Sequence, residues 1–307
     1  MPTKISAEKA CSVVNPRAAN RKWLRRTKVR SYLQKNLPGP VQDDLADKET
    51  TIRKVRDLCA DRDLIIAIGG DGTVADVIQG ILESGREKDV RLGIVPLGSG
   101  NAFRKALKIP KNLKKAVEIL TNGEARDIDI IEVEGKAAGF VSVGATAEIT
   151  HQVKLEQKIQ GLLGHLLAAR SLLKIKRQER EVELFEGIDE KGVPFSRKKF
   201  TLKFLDCVVA KTNYFGYSWR VAPFARVDDG YLDIAFFEIG FPKYLLLFPL
   251  IYFGIYQRRL KRYKAKRVIL RGQGLYVQYN GEVLGKMDKV ELKVIPRALK
   301  VLAPKSS

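Results

Sequence analysis

The chain contains 307 residues, of which 45% are hydrophobic and 30% are charged, and its formal net charge is +21. This length suffices for one large domain or two smaller ones, and the composition excludes a disordered chain. The positive charge predicts an anionic partner, for which a nucleic acid, a membrane surface and a nucleotide all qualify. The sequence carries no motif of nucleic-acid-binding proteins, so we expect no nucleic-acid partner.

The three cysteines, Cys11, Cys59 and Cys207, lie far apart and have neither disulfide nor metal-ligand spacing. Free thiols are typical of a reducing compartment, so we expect a cytoplasmic protein. The opening stretch MPTKISAEKACSVV lacks the apolar core of a signal peptide, and secretion is therefore not expected.

The N-terminal part of the chain alternates short apolar runs with segments of helical periodicity. The predicted elements are a strand at 11–14, helices at 21–37 and 50–60, a strand at 64–68, a helix at 74–82, a strand at 92–97, and helices at 102–107 and 111–120. Strands that alternate with helices indicate a parallel sheet covered by helices on both faces. Ligands of such sheets bind at the carboxyl ends of the strands.

Two glycine-rich loops follow predicted strands of this sheet, GGDGT at 69–73 and PLGSGN at 96–101. Glycine lets backbone N–H groups approach an anion, and a helix N-terminus favours negative charge, so the first loop predicts a phosphate site. An ordinary strand-to-helix turn is the alternative. Asp71 would repel a phosphate unless a cation lay between them, which indicates Mg²⁺ with a nucleotide.

From about residue 128 the pattern changes to short alternating runs, which predict an antiparallel sandwich or barrel. The predicted strands lie at 129–134, 139–143, 181–185, 200–210, 232–237, 267–270, 274–279, 290–294 and 298–304. Helical insertions are expected at 156–177 and 242–263. We therefore predict two domains, one formed by 1–127 with the tail 297–307 and the other by 128–296.

Residues 244–256 (YLLLFPLIYFGIY) are almost wholly apolar and are followed by a cluster of lysines and arginines. This run is shorter than the ~20 residues that a membrane-spanning helix needs. An apolar helix beside a basic cluster is typical of an element that lies in the interface of an anionic membrane. A core helix with a basic, solvated end is the alternative. Residues 162–173 are a second candidate for a lipid-facing segment.

Five motifs lie in the order and at the spacing of one known family. They are Asn15-Pro16, GGDGT at 69–73, PLGSGN at 96–101, APFARVDDGYLD at 222–233 and NGE at 280–282. On these motifs the chain resembles the diacylglycerol kinase catalytic domain superfamily, which includes bacterial lipid kinases and the sphingosine and ceramide kinases. GGDGT alone is weak because NAD kinases carry it too, but the combination covers nearly the whole chain.

The resemblance implies a two-lobed lipid kinase, with an α/β N-terminal lobe of the NAD kinase and diacylglycerol kinase type and a β-sandwich second domain for the lipid. ATP would lie in the cleft, with Mg²⁺ organised by Asp71. The residues expected to contact the nucleotide are Asn15, Gly69, Gly70, Gly72, Thr73, Gly98, Ser99 and Asn101. Glu282 matches the family's general base, which takes the proton from the lipid hydroxyl. The alternative is a type I′ turn at Asn280-Gly281 that leaves Glu282 merely exposed.

The turn at 228–233 (DDGYLD) resembles a site where family members bind a structural Mg²⁺. This implies Asp228, Asp229 and Tyr231 as the metal-site residues. Clustered carboxylates in a glycine turn suit a hard cation with oxygen ligands. Asp-Gly is also a strong turn signal, so a solvated hairpin is the alternative.

Several positions depart from the family's pattern. Asn280 stands where bacterial members usually have Asp, which removes one negative charge near the metal. Ala102 follows Asn101 where the bacterial kinases usually have Asp, and GSGNA at 98–102 is closer to the sphingosine kinases. Residues 17–20 (RAAN) replace the usual small Ser-Gly pair.

Together the motifs predict an ATP- and Mg²⁺-dependent kinase that phosphorylates the hydroxyl of a membrane lipid, either diacylglycerol or a sphingoid-type base. An NAD kinase-like small-molecule kinase and a catalytically impaired nucleotide- or lipid-binding relative are the alternatives. The expected location is the cytoplasm, peripherally at the inner face of an anionic membrane. The sequence does not identify the lipid, and it does not determine whether the protein forms a homodimer.

Overall fold

The structure is a computed structural model that describes residues 9–16, 23–43, 47–98, 100–156, 175–215 and 219–305. The chain divides into two compact units. The first consists of the described residues of Met1–Ile130 and Pro296–Ser307, and the second consists of Ile131–Phe215 and Trp219–Ile295.

The first unit is built on a sheet of short, mostly buried strands. These are β1 (Ala10–Val14), β2 (Val41–Gln42), β3 (Leu64–Gly69), β4 (Arg91–Pro96) and the end of β13 (Glu282–Ala303). β3 pairs in parallel with β1 and with β4, β1 pairs in parallel with β2, and β13 pairs in parallel with β4. All six residues of β3 are buried, which explains why its sequence is a continuous apolar run rather than an alternating one.

Helices follow the strands of the first unit in the order that the sequence predicts. They are α1 (Thr27–Asn36), α2 (Lys48–Leu58), α3 (Asp71–Glu83), α4 (Ala102–Ala106) and α5 (Leu113–Asn122). The Asp47 side chain accepts from the Thr50 N–H and caps α2. Helix α3 begins at Asp71, three residues before the predicted start at residue 74. Gly70 is its N-cap, so the last three residues of GGDGT already belong to the helix.

The second unit is dominated by antiparallel strands around one apolar core. Its strands are β5 (Glu124–Val133, which begins in the first unit), β6 (Lys136–Ala138), β7 (Phe140–Gly144), β8 (Gln178–Ile188), β9 (Pro194–Phe204), β10 (Asp206–Ala210), β11 (Leu232–Phe237), β12 (Lys261–Tyr279) and the first part of β13. β12 pairs in antiparallel fashion with β7, β8, β11 and β13, and β10 pairs with β7 and β11.

Three predicted strand boundaries in this unit are wrong. The single strand predicted at 200–210 is two strands, β9 and β10, separated at Leu205. The two strands predicted at 267–270 and 274–279 are one strand, β12, with a bulge between Arg271 and Leu275. Gly272 and Gly274 both have positive φ and lie at this bulge, so the gap between the two predicted strands is an irregularity inside one long strand. The strands predicted at 290–294 and 298–304 likewise belong to the single strand β13.

The two predicted helical insertions have different outcomes. The first, at 156–177, falls mostly on residues 157–174, which lie outside the described residues and include the candidate segment 162–173; helix α6 (Ala145–Glu156) precedes them. The second insertion is not one helix over 242–263 but α7 (Phe241–Leu246), α8 (Phe248–Tyr252) and a 3₁₀ turn. Pro249 supplies no backbone N–H, and Gly254 has a φ of 77°, so a continuous helix cannot form. Among the described helices, none is long and apolar enough to cross a membrane.

Candidate functional site

The two predicted glycine loops meet at the carboxyl ends of β3 and β4. Gly70 is the N-cap of α3, and the Gly98 N–H donates to the carbonyl of Gly69 at 3.1 Å. A Cβ atom on Gly98 would lie 2.2 Å from the Cα of Gly70, and one on Gly70 would lie 3.0 Å from the Cα of Gly98. The loops are therefore in backbone contact, which only glycine at both positions allows.

The other two glycines of GGDGT, Gly69 and Gly72, differ in whether the protein itself leaves room for a side chain. A Cβ atom on Gly69 would lie 2.5 Å from the Thr73 hydroxyl, so Gly69 makes room for that buried side chain. A Cβ atom on Gly72 would meet nothing within 4 Å. Packing inside the protein therefore does not explain Gly72, whereas the close approach of a ligand to its backbone would.

The Asp71 side chain connects the two loops. Its Oδ1 accepts a hydrogen bond from the Ala102 N–H at 2.5 Å, at the first residue of α4. Burial raises the pKa of the Asp71 carboxyl, and hydrogen bonds from the α4 backbone and the charge of Lys105 only partly oppose this. Asp71 therefore fixes the second loop against the first, a structural role that the sequence analysis missed.

Asn101 shapes the second loop from within. It has left-handed backbone angles (φ 54°, ψ 54°), is buried, and donates from its amide to the carbonyl of Gly98 at 2.8 Å. Asn is one of the few residues that adopt this conformation readily. Asn15 directly follows β1, the neighbour of β3, so three successive strand ends carry predicted nucleotide residues. Ser99 lies outside the described residues.

In the second unit, Glu282 lies at the start of β13, beside a tight turn. Asn280 (φ 48°) and Gly281 (φ 86°) are both left-handed, as a type I′ turn requires, and Tyr279 pairs with Glu282 across the hairpin. The turn is therefore present, but Glu282 is half-buried rather than merely exposed. The Tyr279 hydroxyl donates to its carboxylate at 3.0 Å and holds it in one orientation.

The hydrogen bonds of the Asn280 side chain explain why an amide suits this position, where the family usually has Asp. Its Oδ1 accepts from the Gly139 N–H at 3.0 Å, and its Nδ2 donates to the carbonyl of Ala137 at 3.1 Å. A carboxylate can accept the first bond but cannot donate the second. Asn280 thus anchors the hairpin to Ala137 of β6 and to Gly139, which lies between β6 and β7, and no local sequence signal reveals these contacts.

Two lysines from other parts of the chain, Lys211 and Lys264, contact the Asp-rich turn, and the sequence alone did not indicate these contacts. Asp229 accepts from Lys211 at 2.7 Å and from Lys264 at 2.5 Å. Burial raises the pKa of Asp229, but these hydrogen bonds and charges outweigh it, so its pKa lies below the ordinary value. The Lys211 side chain is fully buried in this arrangement and also donates to the carbonyl of Tyr231 at 2.6 Å.

Of the other carboxylates of the turn, Asp233 shares Lys264 with Asp229, whereas Asp228 lies beside Arg226. Asp228 is half-exposed and lies 3.5 Å from Arg226, and burial raises the pKa of Asp233 to about 6. Within the described parts of the chain, no three His, Cys, Asp or Glu side chains are grouped closely enough to hold a metal ion. The Mg²⁺ role of Asp228, Asp229 and Tyr231 stays a prediction.

Asp206 is a buried carboxyl in the middle of an apolar segment, and the sequence analysis passed over it. Ser142 donates to its Oδ1 at 3.1 Å and Thr146 donates to its Oδ2. Burial raises its pKa to about 7 against the effect of these hydroxyls. In the sequence, only the presence of one acidic residue in the apolar run FLDCVVA could have indicated a buried carboxyl. Its hydrogen-bond partners lie about 60 residues earlier in the chain.

The segment that follows β11 exposes large apolar side chains. We call it the 245–255 patch, and its exposed members are Leu245, Leu246, Phe248, Leu250, Phe253 and Ile255. Leu246 is 80% exposed and Phe253 is 64% exposed, whereas Tyr244 and Ile251 are buried in the core beneath. One face of the segment thus packs in the core, and the contact of its exposed face with a membrane stays a prediction.

Comparison with known proteins gives two family matches that together span most of the chain. The diacylglycerol kinase catalytic domain matches residues 9–133, and the YegS C-terminal NAD kinase beta sandwich-like domain matches residues 139–303. The second match covers more than half of the chain.

Curated relatives and solved structures agree with these matches. The chain is 32% identical over 195 residues to a diacylglycerol kinase of Bacillus subtilis, over 62% of this chain and 57% of that protein. It is 26% identical over 187 residues to a diacylglycerol kinase of Staphylococcus carnosus, over 61% of this chain and 58% of that protein. The alignments thus span somewhat more than half the length of these relatives.

A crystal structure of a diacylglycerol kinase from Bacillus anthracis superposes with a TM-score of 0.69 at 20% identity, over 96% of this chain and 97% of that chain. This similarity establishes the fold over nearly the full length. The chain therefore belongs to the family that combines a diacylglycerol kinase catalytic domain with a YegS-type C-terminal NAD kinase beta sandwich-like domain.

Proposed function

We propose that this protein transfers the γ-phosphate of ATP to the hydroxyl of a membrane lipid, with diacylglycerol or a sphingoid-type base as the acceptor. Residues 1–127 with 297–307 would bind the nucleotide, and residues 128–296 would take the lipid. The observation that carries the proposal is the contact of the two glycine loops at the ends of β3 and β4, with open space at Gly72.

The glycine loops suit a polyphosphate because of what they leave uncovered. Phosphate binding needs backbone N–H groups at a helix N-terminus without side chains in front of them. Helix α3 begins immediately after Gly70, and Gly72 lies in its first turn with no protein atom where its Cβ would be. We infer that phosphate oxygens approach the backbone here, with Asn15 at the neighbouring strand end.

Asp71 is suited to organise Mg²⁺ that arrives with the nucleotide. Its carboxylate is fixed by the Ala102 N–H and is next to the open first turn of α3. Mg²⁺ binds few protein carboxylates and keeps its remaining positions for phosphate oxygens and water. When bound, the ion would neutralise charge on the phosphates, and Asp71 would hold it in one place.

Glu282 is proposed as the general base. Phosphoryl transfer depends mostly on positioning and charge neutralisation, together with a carboxylate that receives the proton of the attacking hydroxyl. The Tyr279 hydroxyl orients this carboxylate on a tight hairpin, which is a rigid support. Rigid support of a reacting group is what an efficient proton transfer needs.

The 245–255 patch is proposed to lie on an anionic membrane. Exposed Leu246 and Phe253 would enter the interface, and exposed Arg258 and Arg259 follow directly in sequence. Each basic residue near an anionic surface adds about 1 kcal/mol of attraction. Exposed apolar side chains beside basic ones are typical of an element in the interface of an anionic membrane, where a lipid kinase would meet its substrate.

The phosphotransfer proposal is tested with the purified protein, γ-labelled ATP, Mg²⁺ and a total lipid extract. We expect a labelled lipid with the wild type and with the exposed control variant Glu186→Gln, and none with Glu282→Gln. The identity of the labelled lipid names the acceptor. Label on added NAD instead of lipid would support the NAD kinase-like alternative, and ATP binding without any transfer would support a binding protein.

The membrane proposal is tested by flotation with anionic vesicles. We expect the double variant Leu246→Ser/Phe253→Ser to lose vesicle binding while its circular dichroism stays unchanged. Val193→Ser removes another exposed apolar side chain of the same unit and should bind vesicles like the wild type. Unchanged binding of the double variant would contradict a membrane role for the patch.

A further inference from the structure

The turn at 228–233 contains a charge arrangement that the phosphotransfer proposal does not use. Lys211 directly follows β10, and its side chain is 0% exposed. Its Nζ donates to Oδ1 of Asp229 at 2.7 Å and to the carbonyl oxygen of Tyr231 at 2.6 Å. Lys264 donates to Oδ2 of Asp229 at 2.5 Å. Both carboxylate oxygens of Asp229 thus accept hydrogen bonds from ammonium groups.

A divalent cation at this turn would need the same oxygens. Mg²⁺ and Ca²⁺ bind carboxylate and carbonyl oxygens at about 2.0–2.6 Å. The Lys211 ammonium already lies within hydrogen-bond distance of the Asp229 carboxylate and the Tyr231 carbonyl, so it occupies the space between them. A dication and an ammonium group cannot share that space. The residues therefore do not fit a divalent cation while Lys211 is in place.

The charges of the cluster lead to the same conclusion. Two carboxylates, Asp229 and Asp233, face two ammonium groups, Lys211 and Lys264, and Lys264 lies 3.8 Å from Asp233. These four charges sum to zero. A dication would leave the cluster with an excess of two positive charges in a partly buried site, which is unfavourable.

We propose that the Lys211 ammonium takes the place of a structural divalent cation at this turn. The chain itself supplies the cation, and the turn is held in position without metal. The stability of the second unit is then independent of Mg²⁺, and any Mg²⁺ requirement of the protein belongs to the nucleotide. This inference is separate from the phosphotransfer proposal, because it concerns nucleotide-free protein.

The experiment measures thermal unfolding of nucleotide-free protein in EDTA, in MgCl₂ and in CaCl₂, together with Mn²⁺ binding by electron paramagnetic resonance. The variants are Lys211→Met, which keeps an apolar stem but removes the charge, Asp229→Asn, and the double variant. Lys203→Met is the matched control, because Lys203 is an exposed lysine of the same unit. We expect wild type and Lys203→Met to unfold at the same temperature in EDTA and in Mg²⁺.

For Lys211→Met we expect a fall in unfolding temperature of roughly 10 °C in EDTA, because the Asp229 carboxylate loses a buried partner. Divalent cations should recover part of this loss, and should recover none of it in the double variant. The proposal is overturned if the wild type binds Mn²⁺ or gains stability from Mg²⁺ and Asp229→Asn abolishes the effect. That comparison remains decisive even if Lys211→Met does not fold.

Discussion

Replacement of Asn280 by Asp tests whether the family's usual carboxylate is compatible with this hairpin. The substitution keeps the shape of the side chain and a residue type that tolerates left-handed backbone angles. It also keeps the bond from the Gly139 N–H, because a carboxylate oxygen accepts as well as the amide oxygen does. It removes the donor to the carbonyl of Ala137 and places a negatively charged oxygen about 3.1 Å from that carbonyl.

The expected cost follows from these two changes. The substitution removes the partly buried Nδ2 donor and leaves a charged carboxylate oxygen facing the Ala137 carbonyl. This lowers the free energy of unfolding by about 1–3 kcal/mol. A stronger, charge-assisted bond from the Gly139 N–H offsets about 1 kcal/mol. The net expectation for Asn280→Asp is a destabilisation centred on about 1 kcal/mol, and of at most about 2 kcal/mol, above about pH 6, since the repulsion at Ala137 favours the protonated acid in the folded state.

The pH dependence gives this prediction an internal control. A protonated carboxyl at position 280 can donate to the Ala137 carbonyl as the amide does, so the folded variant binds that proton more tightly than the unfolded chain. The deficit relative to the wild type should therefore shrink as the pH falls towards the ordinary aspartate pKa of about 3.9. Urea unfolding of both proteins at several pH values measures it. A variant as stable as the wild type well above pH 6 would refute this reasoning.

Three further predictions concern the glycine loops, the proposed base and the buried acid. Gly98→Ala should lower stability by about 1–3 kcal/mol through overpacking, whereas Gly72→Ala should fold at least as well as the wild type yet bind ATP more weakly in calorimetry. Tyr279→Phe should lower kcat more than it changes the KM for ATP, because Glu282 loses its orienting hydrogen bond; equal kcat values would contradict this role. Asp206, with its pKa raised from 3.8 to about 7, should make wild-type stability decrease by up to a few kcal/mol as the pH rises through this interval. Asp206→Asn should lack that decrease in urea unfolding, and an identical pH profile would contradict the assignment.

The sequence predicts this fold best where local patterns determine the structure. The apolar run at 64–68 followed by GGDGT indicates a buried strand and a helix start, and both are present within three residues of the predicted positions. Asn280-Gly281 predicts a type I′ turn because that turn needs two left-handed residues, and both have positive φ. In each case the residues concerned are neighbours in the sequence.

The same approach fails where the partner of a residue is distant. Gly272 and Gly274 indicate a turn by composition, yet the neighbouring strand β13 keeps β12 continuous on both sides of them. Pairing across a sheet thus overrides the local signal. Lys211 follows an apolar strand without any visible partner in sequence, and its role is apparent only because the chain returns at Asp229. The contact of Gly70 with Gly98 is likewise invisible in either motif alone.

The structure shows the local contacts of Ala102 and Asn280, where this chain departs from its family's acidic pattern. At residue 102 the backbone N–H donates to Asp71, and any residue except proline supplies this donor, so the contact sets no requirement on the side chain. At residue 280 a carboxylate would be harmful, because the position needs a donor towards Ala137. Lys211 supplies a positive charge inside the Asp-rich turn.

At the Asp-rich turn, the Lys211 ammonium is proposed to do what a divalent cation held by carboxylates would otherwise do. We therefore expect Asn280 and Ala102 to be compatible with phosphotransfer activity. We expect divalent cations to be needed at the nucleotide and to be dispensable for folding, so chelation should stop phosphotransfer and leave the unfolding temperature unchanged.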